Sequence, residues 1–376
     1  MLKRFLLALI ASARVQTLHV FVSKSNVALF SYVSELERHN VKVRTIGLSY
    51  TAESIRGQPF ALVRVVRLMA ATLRALHLCK LVIAQGTIAS GIAGLFAARC
   101  AGVPTLSYLP LVDDTPADSR MADKTKWLIK RALYRMPDEF VTLSEHLRDK
   151  LRKLAPHART TILENYVDDR FSRSTLTKSA ARAALGLPDG RTTIIAHVGR
   201  INFKHKRQDF LMEAIERHAD AFSRTLVLIV GEGPDEARLT AIIDKSPTLA
   251  KCVKLVGPQD DVLPYIVASD TLVLPSAYEG VPLVMIEAVL AERPIVASRV
   301  CGLDAYLPNA LLFPPDDHHA FVERIFAARD FPMTALAAGF GRRFSREVFD
   351  AQAQALICVG TVPDKSDAPL STSPPL

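Results

Sequence analysis

Short aliphatic and β-branched runs alternate with longer amphipathic stretches along the whole chain. TLHVFV (17–22), VKVRTIGL (41–48), KLVIAQ (80–85), PTLSYLP (104–110) and EFVTL (139–143) read as five strands of a first half. RTTIIAHVG (191–199), TLVLIVG (225–231), KCVKLVG (251–257), DTLVLP (270–275) and RPIVAS (293–298) read as five strands of a second. These runs are continuously apolar rather than alternating, which marks strands covered on both faces, and helical stretches separate them. The pattern therefore predicts an α/β protein with two doubly wound parallel-sheet domains facing each other across a cleft. Ligands of such sheets gather beyond the carboxyl ends of the strands, so the site is expected in that cleft.

Periodicity lapses in SRSTLTKSAARAALGLPDGR (172–191), which places the domain boundary near residue 188. The expected organisation is an N-terminal extension (1–16), a first domain (17–188), a second domain (189–344), a C-terminal helix (345–360) and a Pro- and Ser-rich tail (361–376). That tail has the composition of a disordered segment.

The chain has 376 residues, 49% of them hydrophobic and 23% charged, enough for two cores and too apolar for general disorder. Its five cysteines lie far apart without paired spacing, so neither a disulfide framework nor a zinc site is indicated, and a reducing cytoplasm fits best. The net charge of +9 favours an anionic partner. VRVVRLMAATLRALHL and DKTKWLIKRALYRM concentrate Arg and Lys beside apolar residues, as a membrane-surface helix does; an ordinary solvated helix face has the same composition. The start, MLKRFLLALIASA, has a basic region and a short apolar run and is weighed as a signal peptide, with an extension that touches a membrane preferred. No stretch has the roughly 20 apolar residues of a spanning helix. The positive charge is not joined to a stacking platform or recognition motif, so nucleic acid is not an expected partner.

Candidate chemistry concentrates in the second half. In PSAYEGVPLVMIEA (275–288), Glu279 lies in a loop after a strand, and Pro282 suits the first position of the next helix. Residues 280–283 (Gly280, Val281, Pro282 and Leu283) then form a helix mouth whose free backbone N–H groups, on all but Pro282, make a ready anion site. Glu287, some two turns into that helix, would reach the far end of a ligand whose other end meets Glu279. A long substrate with hydroxyls at both ends, such as a nucleotide-sugar, fits this spacing. Equally, Glu287 could answer a buried Arg while Glu279 is a solvated loop acid. A second cluster, HVGRINFKHKRQDF (197–210), crowds Arg200, Lys204, Lys206 and Arg207 after a strand, where cations can neutralise a pyrophosphate. In LIVGEGPDEARL, Gly231 and Gly233 allow a tight turn, with contact of Gly233 to a bound base as the functional alternative. This is not a dinucleotide fingerprint, and no phosphate-binding G-x-x-x-x-G-K-[ST] loop occurs.

These blocks in this order resemble glycosyltransferase family 4, matched through VGRINFKHKRQDFL, LVLIVGEGPDEARL, KLVGPQDDVLPYIVASDTLVLPS and AYEGVPLVMIEAVLAERPIVAS, and more loosely through FVTLSEHLRDKLRKL and ILENYVDDRF. The resemblance implies a GT-B fold and a retaining, nucleotide-sugar-dependent enzyme that needs no metal or cofactor. It implies that Glu279 bonds the donor sugar, Glu287 the ribose, and Arg200 with Lys206 the diphosphate. The partners it implies are a nucleotide-diphosphate sugar and a glycan or lipid-linked acceptor. That reading suggests surface polysaccharide or lipopolysaccharide synthesis on the inner face of the cytoplasmic membrane.

Several positions depart from the family. SKSNVALF (23–30) lacks the usual glycine pair, leaving Ser25 and Asn26 as positional candidates on the acceptor side. Tyr108-Leu109-Pro110 stands where many members have a His. Arg200 and Lys206 are one residue further apart than is common, so Lys204 competes with Lys206. Asp113 and Asp114, just past the fourth strand, are further acceptor-side candidates. The alternatives are a phosphorylase or epimerase on the same fold, and a protein that binds nucleotide-sugar or membrane without turnover.

Overall fold

The computed structural model describes residues 2–13, 15–40, 42–49, 58–112, 121–190 and 192–356. Asp113, Asp114 and the tail 361–376 lie outside the described residues. The chain forms two compact units: Met1–Thr142, Lys150–Leu163 and Asp350–Leu376 make the first, Leu143–Asp149 and Glu164–Phe349 the second.

In the first unit, β1 (Leu18–Ser23) pairs in parallel with β2 (Val43–Leu48). Separately, β3 (Leu81–Ala84), β4 (Thr105–Tyr108), β5 (Glu139–Thr142) and β6 (Arg159–Ile162) form a four-stranded parallel sheet in that order. The sequence predicts the first five of these strands; β6 is missed because RTTI is short and polar. The sequence also implies one sheet, whereas two separately paired sheets are found. The helix Ile92–Ala101 ends on Gly102, whose φ of 70° is the left-handed conformation glycine adopts freely.

Residues 2–11 are expected as part of an extension, but they fold as the helix Leu2–Ala11 and pack into this unit. Phe5, Leu6, Ala8 and Leu9 are buried, Leu6 joins a core with Val22, Val33 and Val43, and Phe5 stacks on Tyr108 at 6.1 Å. The apolar run that suggested a leader or membrane contact faces the protein core, where each large side chain contributes roughly 1.5–3 kcal/mol by burial.

In the second unit, β7 (Thr193–Val198), β8 (Thr225–Val230), β9 (Val253–Gly257), β10 (Thr271–Leu274), β11 (Ile295–Ser298) and β12 (Leu312–Phe313) form one parallel sheet in the order β12-β11-β10-β7-β8-β9. Every residue of β7, β10 and β11 is buried, which accounts for their unbroken apolar character. The boundary differs from the expected residue 188, since residues 164–188 belong to the second unit. Arg182 shows why: nearly fully buried, its guanidinium donates to the Ala268 carbonyl at 2.9 Å and to Asp270 at 2.8 Å, pinning the helix Lys178–Ala184 to the sheet. The predicted C-terminal helix is present as Arg346–Ala355, with residues 357–360 outside the described range.

Candidate active site

The site of the second unit is built at the carboxyl ends of β7 and β10. After β7, Asn202 caps the four-residue helix Phe203–Lys206, its side-chain oxygen accepting from the His205 amide at 2.9 Å. Phe203 is tied to the next loop by its amide, which donates to Asp235 at 2.9 Å. Arg207 then takes a φ of 56°, turning the chain sharply into the helix Gln208–Arg217. This tight course swings Lys206 inward and leaves Lys204 exposed.

Lys206 meets Glu279. Its Nζ donates to Glu279 Oε1 at 2.6 Å, and Ser276 Oγ donates to the same oxygen at 2.6 Å. Glu279 is only 5% exposed, which excludes a solvated loop acid. Its amide donates to Cys301 Sγ at 3.4 Å, and His205 Nε2 lies 3.8 Å from Oε2. The His205 ring stacks on Tyr278 at 4.2 Å, and burial pushes its pKa below the ordinary value although the Glu279 carboxylate pulls the other way. A carboxylate and an ammonium this close, both largely out of water, hold each other in one geometry; either alone would carry a large desolvation penalty.

Beyond Glu279 the chain reaches the helix Leu283–Leu290. Pro282 is its N-cap rather than its first residue, because its ψ of 129° is extended. The helix therefore begins later than expected, and Glu287 lies little more than one turn inside it, about 6 Å along the axis at 1.5 Å per residue. Glu287 is half-buried. The nearly fully buried Arg182 is answered by Asp270. Gly280, Val281 and Pro282 are buried, and Leu283 is half-buried. The Val281 carbonyl accepts from buried Asn165 at 2.9 Å, which fixes the helix mouth.

Arg200 is exposed and lines a groove of about 780 Å³ together with Gly199, Gly231, Gly233, Pro258 and Gln259. The groove adjoins the ion pair, since a Cβ built on Gly199 would stand 3.7 Å from the Lys206 side chain. Gly233 has a structural necessity: a Cβ there would fall 2.1 Å from the Ile201 carbonyl oxygen. Gly233→Ala is expected to displace the 200–206 loop and lower thermal stability, measurable by calorimetry, with loss of alignment between Lys206 and Glu279.

Two residues that sequence reasoning passed over hold this loop. His197, fully buried in β7, contacts the Val273 carbonyl through Nδ1 at 3.0 Å and Gln208 Nε2 through Nε2 at 2.8 Å. Gln208 Nε2 donates to the Arg200 carbonyl at 3.0 Å, while its Oε1 accepts from the Asn202 amide at 3.1 Å. The set is consistent only with a neutral ring, Nδ1 donating and Nε2 accepting. Burial pushes the His197 pKa down to about 4. A histidine whose folded pKa lies below its unfolded value of about 6.5 stabilises fully above that value and loses the contribution as pH falls toward the folded pKa. Acidification across that window is expected to cost about 3 kcal/mol from this residue, and a His197→Gln variant should show a shallower fall of unfolding free energy with pH.

The acceptor-side candidates belong to the first unit. Ser25 and Asn26 are exposed at the carboxyl end of β1, where Asn26 caps the helix Val27–His39 by accepting from the Leu29 amide at 3.2 Å. Tyr108 is turned inward and 6% exposed; burial raises its pKa strongly, and its hydroxyl has no hydrogen-bond partner.

Comparison with known proteins also finds two domains along the chain. A family model described as glycosyl transferase 4-like domain matches residues 6–165, and one described as glycosyl transferases group 1 matches residues 192–329. The chain belongs to the glycosyltransferases assembled from these two domains. Among curated relatives, a Bacillus subtilis protein named as the teichuronic acid biosynthesis glycosyltransferase TuaC is 31% identical over 188 residues, 49% of this chain and 45% of that one. The 2-deoxystreptamine glucosyltransferase of Streptomyces kanamyceticus is 28% identical over 58% of this chain and 59% of its own length. The chain thus spans less than two thirds of these relatives. Anabaena HepE, solved with UDP, superposes with a TM-score of 0.70 at 18% identity, covering 94% of this chain and 95% of that one. The lipopolysaccharide outer core galactosyltransferase WaaB superposes with a TM-score of 0.59 at 17% identity over 84% of each chain. At such identities the likeness carries the fold, which is GT-B.

Proposed function

We propose that the protein is a retaining glycosyltransferase that moves a hexose from a nucleotide-diphosphate sugar to a glycan or lipid-linked acceptor. The observation that carries this reading is the Lys206–Glu279 pair, 2.6 Å apart beside a groove lined by Arg200. Arg200 and Lys206 take the diphosphate, with the amides at the mouth of Leu283–Leu290 adding partial positive charge. Glu279 bonds the sugar hydroxyls and Glu287 the ribose. In the reaction, the bond from the anomeric carbon to the phosphate oxygen breaks while the acceptor oxygen bonds to that carbon on the same face. The acceptor proton passes to the departing diphosphate. Negative charge grows on that diphosphate, so cations already in place stabilise the transition state more than the ground state. Relatives and neighbours named for UDP, teichuronic acid and lipopolysaccharide favour a uridine donor and surface-polysaccharide synthesis. Glu287→Ala is expected to raise the donor KM at least tenfold in a turnover assay; unchanged kinetics would remove Glu287 from the site.

The same reading places the protein peripherally on the inner face of an anionic membrane. Among the described residues no helix is long and apolar enough to cross a membrane. The helix Pro59–Ala75 instead presents Phe60, 91% exposed, with Val63 and Leu68 beside exposed Arg64 and Arg67. Apolar side chains among cations suit an anionic headgroup layer. Co-sedimentation with phosphatidylglycerol vesicles should fall with rising salt, and should fall again in Phe60→Ser/Leu68→Ser; equal binding to phosphatidylcholine vesicles would refute the electrostatic part.

A further inference from the structure

In the second unit the first strand in sequence, β7, lies inside the sheet, with β8 and β9 on one side and β10, β11 and β12 on the other. Doubly wound sheets commonly run this way, in the order 3-2-1-4-5-6. The first unit shows the same winding on either side of a break: β2-β1, then β3-β4-β5-β6. Among the described residues no strand joins the two parts.

Both sides of the break are open edges. Leu18 and Lys24 donate to Lys42 and Leu48, so alternate residues of β1 face β2 and the amides of His19 and Phe21 point the other way. Leu81 and Gln85 donate to Pro104 and Tyr108, which leaves the amides of Val82 and Ala84 pointing away from β4. Among the described residues β1 pairs with β2 alone and β3 with β4 alone, so no strand faces these four amides. The two edges nevertheless share one apolar core, since Phe21 of β1 packs against the cluster that contains Leu81 and takes in Ile83. At the carboxyl end of β3, buried Gln85 has a side-chain oxygen without a partner, as does the buried Tyr108 hydroxyl at the end of β4. Inner strands of a parallel sheet do not ordinarily leave amides and polar tips in this state.

We infer that one more parallel strand lies between β1 and β3, supplied by residues that precede the helix Leu2–Ala11 in the full-length protein. That helix then becomes the crossover from the added strand to β1, as Gln208–Arg217 is the crossover from β7 to β8. A right-handed crossover of this kind is the rule for parallel strands. The added strand is apolar, about six residues long like β7, and sits ~4.8 Å from each neighbour. Its four outward-facing partners are the amides of His19, Phe21, Val82 and Ala84. The loop that follows it reaches the carboxyl ends of β3 and β4, beside Gln85 and Tyr108. In the second unit the corresponding loop carries Arg200 and Lys206, so the added segment supplies the matching loop of the first unit. The inference rests on strand pairing alone and stands or falls independently of the proposed reaction.

The test has two parts. The protein is tagged at its C-terminus at its own chromosomal locus, purified, and its N-terminal peptide sequenced by mass spectrometry. The expected N-terminus lies before residue 1 and includes an apolar run of about six residues. Amide hydrogen exchange is then compared between that form and the 376-residue chain. His19, Phe21, Val82 and Ala84 should exchange slower by about tenfold or more in the longer form. An N-terminus at residue 1, or a longer form in which those four amides exchange as they do in the 376-residue chain, overturns the inference.

Discussion

Glu279→Gln is expected to lower sugar transfer by about 10²- to 10³-fold, the usual loss when one preplaced polar group is removed from a charge-stabilising site. The substitution keeps the shape of the side chain and an oxygen that can accept from Lys206 and Ser276, both 2.6 Å away. It removes the negative charge that anchors the Lys206 ammonium and the stronger acceptor for sugar hydroxyls. The loss should appear in kcat more than in donor KM, because the ammonium is most useful when charge develops on the leaving diphosphate. The control is Lys204→Ala, an exposed neighbour on the same short helix, which should retain most activity. Equal losses in both variants would point to general electrostatic attraction of the donor rather than the specific pair.

The second large effect concerns stability. Asp270→Ala is expected to destabilise the second unit by about 3–5 kcal/mol, because it leaves the Arg182 guanidinium buried without its counter-charge. For a unit of this size that corresponds to a melting temperature lower by about 10 °C. Asp270 also accepts from Lys178 at 2.8 Å and from the Ile194 amide at 2.7 Å. Burial alone would raise its pKa, but these hydrogen bonds and the charges of Lys178 and Arg182 outweigh burial and hold it below the ordinary carboxylate range. A carboxylate with a depressed folded pKa stabilises above its unfolded value and loses that contribution as pH falls through the folded one. Differential scanning calorimetry at neutral pH checks the variant. The paired substitution Arg182→Leu/Asp270→Ala should recover much of the loss if the unpaired cation is its cause.

The strands were legible wherever burial on both faces makes the sequence continuously apolar, as in TIIAHV and TLVLIV. They were illegible where pairing involves few residues, as in the two-residue β12 and the polar RTTI of β6. The domain boundary was misplaced because the Ser- and Thr-rich segment before residue 188 looks like a linker by composition. One buried arginine, Arg182, and its long-range partner Asp270 tie it to the second sheet. No local pattern encodes a contact between residues that far apart. The N-terminal run misled in the same way, since an apolar helix packed under Tyr108 and one laid on a membrane have similar compositions.

Within the site, Glu279 and Lys206 could be singled out because charged residues after apolar strands are conspicuous, but their direct pairing could not. The distance between them depends on the sharp turn at Arg207, a residue with no sequence mark of a positive φ. His197 and Gln208 went unnoticed for the opposite reason. A histidine inside a strand and a glutamine at a helix start are unremarkable until the fold brings them 2.8 Å apart.

The most direct test of the central claim is a crystal structure of the protein with UDP bound. The account predicts diphosphate oxygens within hydrogen-bond distance of Arg200 and Lys206, with the ribose against Glu287 and the base over the Gly231–Gly233 turn. A nucleotide bound elsewhere, with Lys206 still engaged only by Glu279, would contradict it.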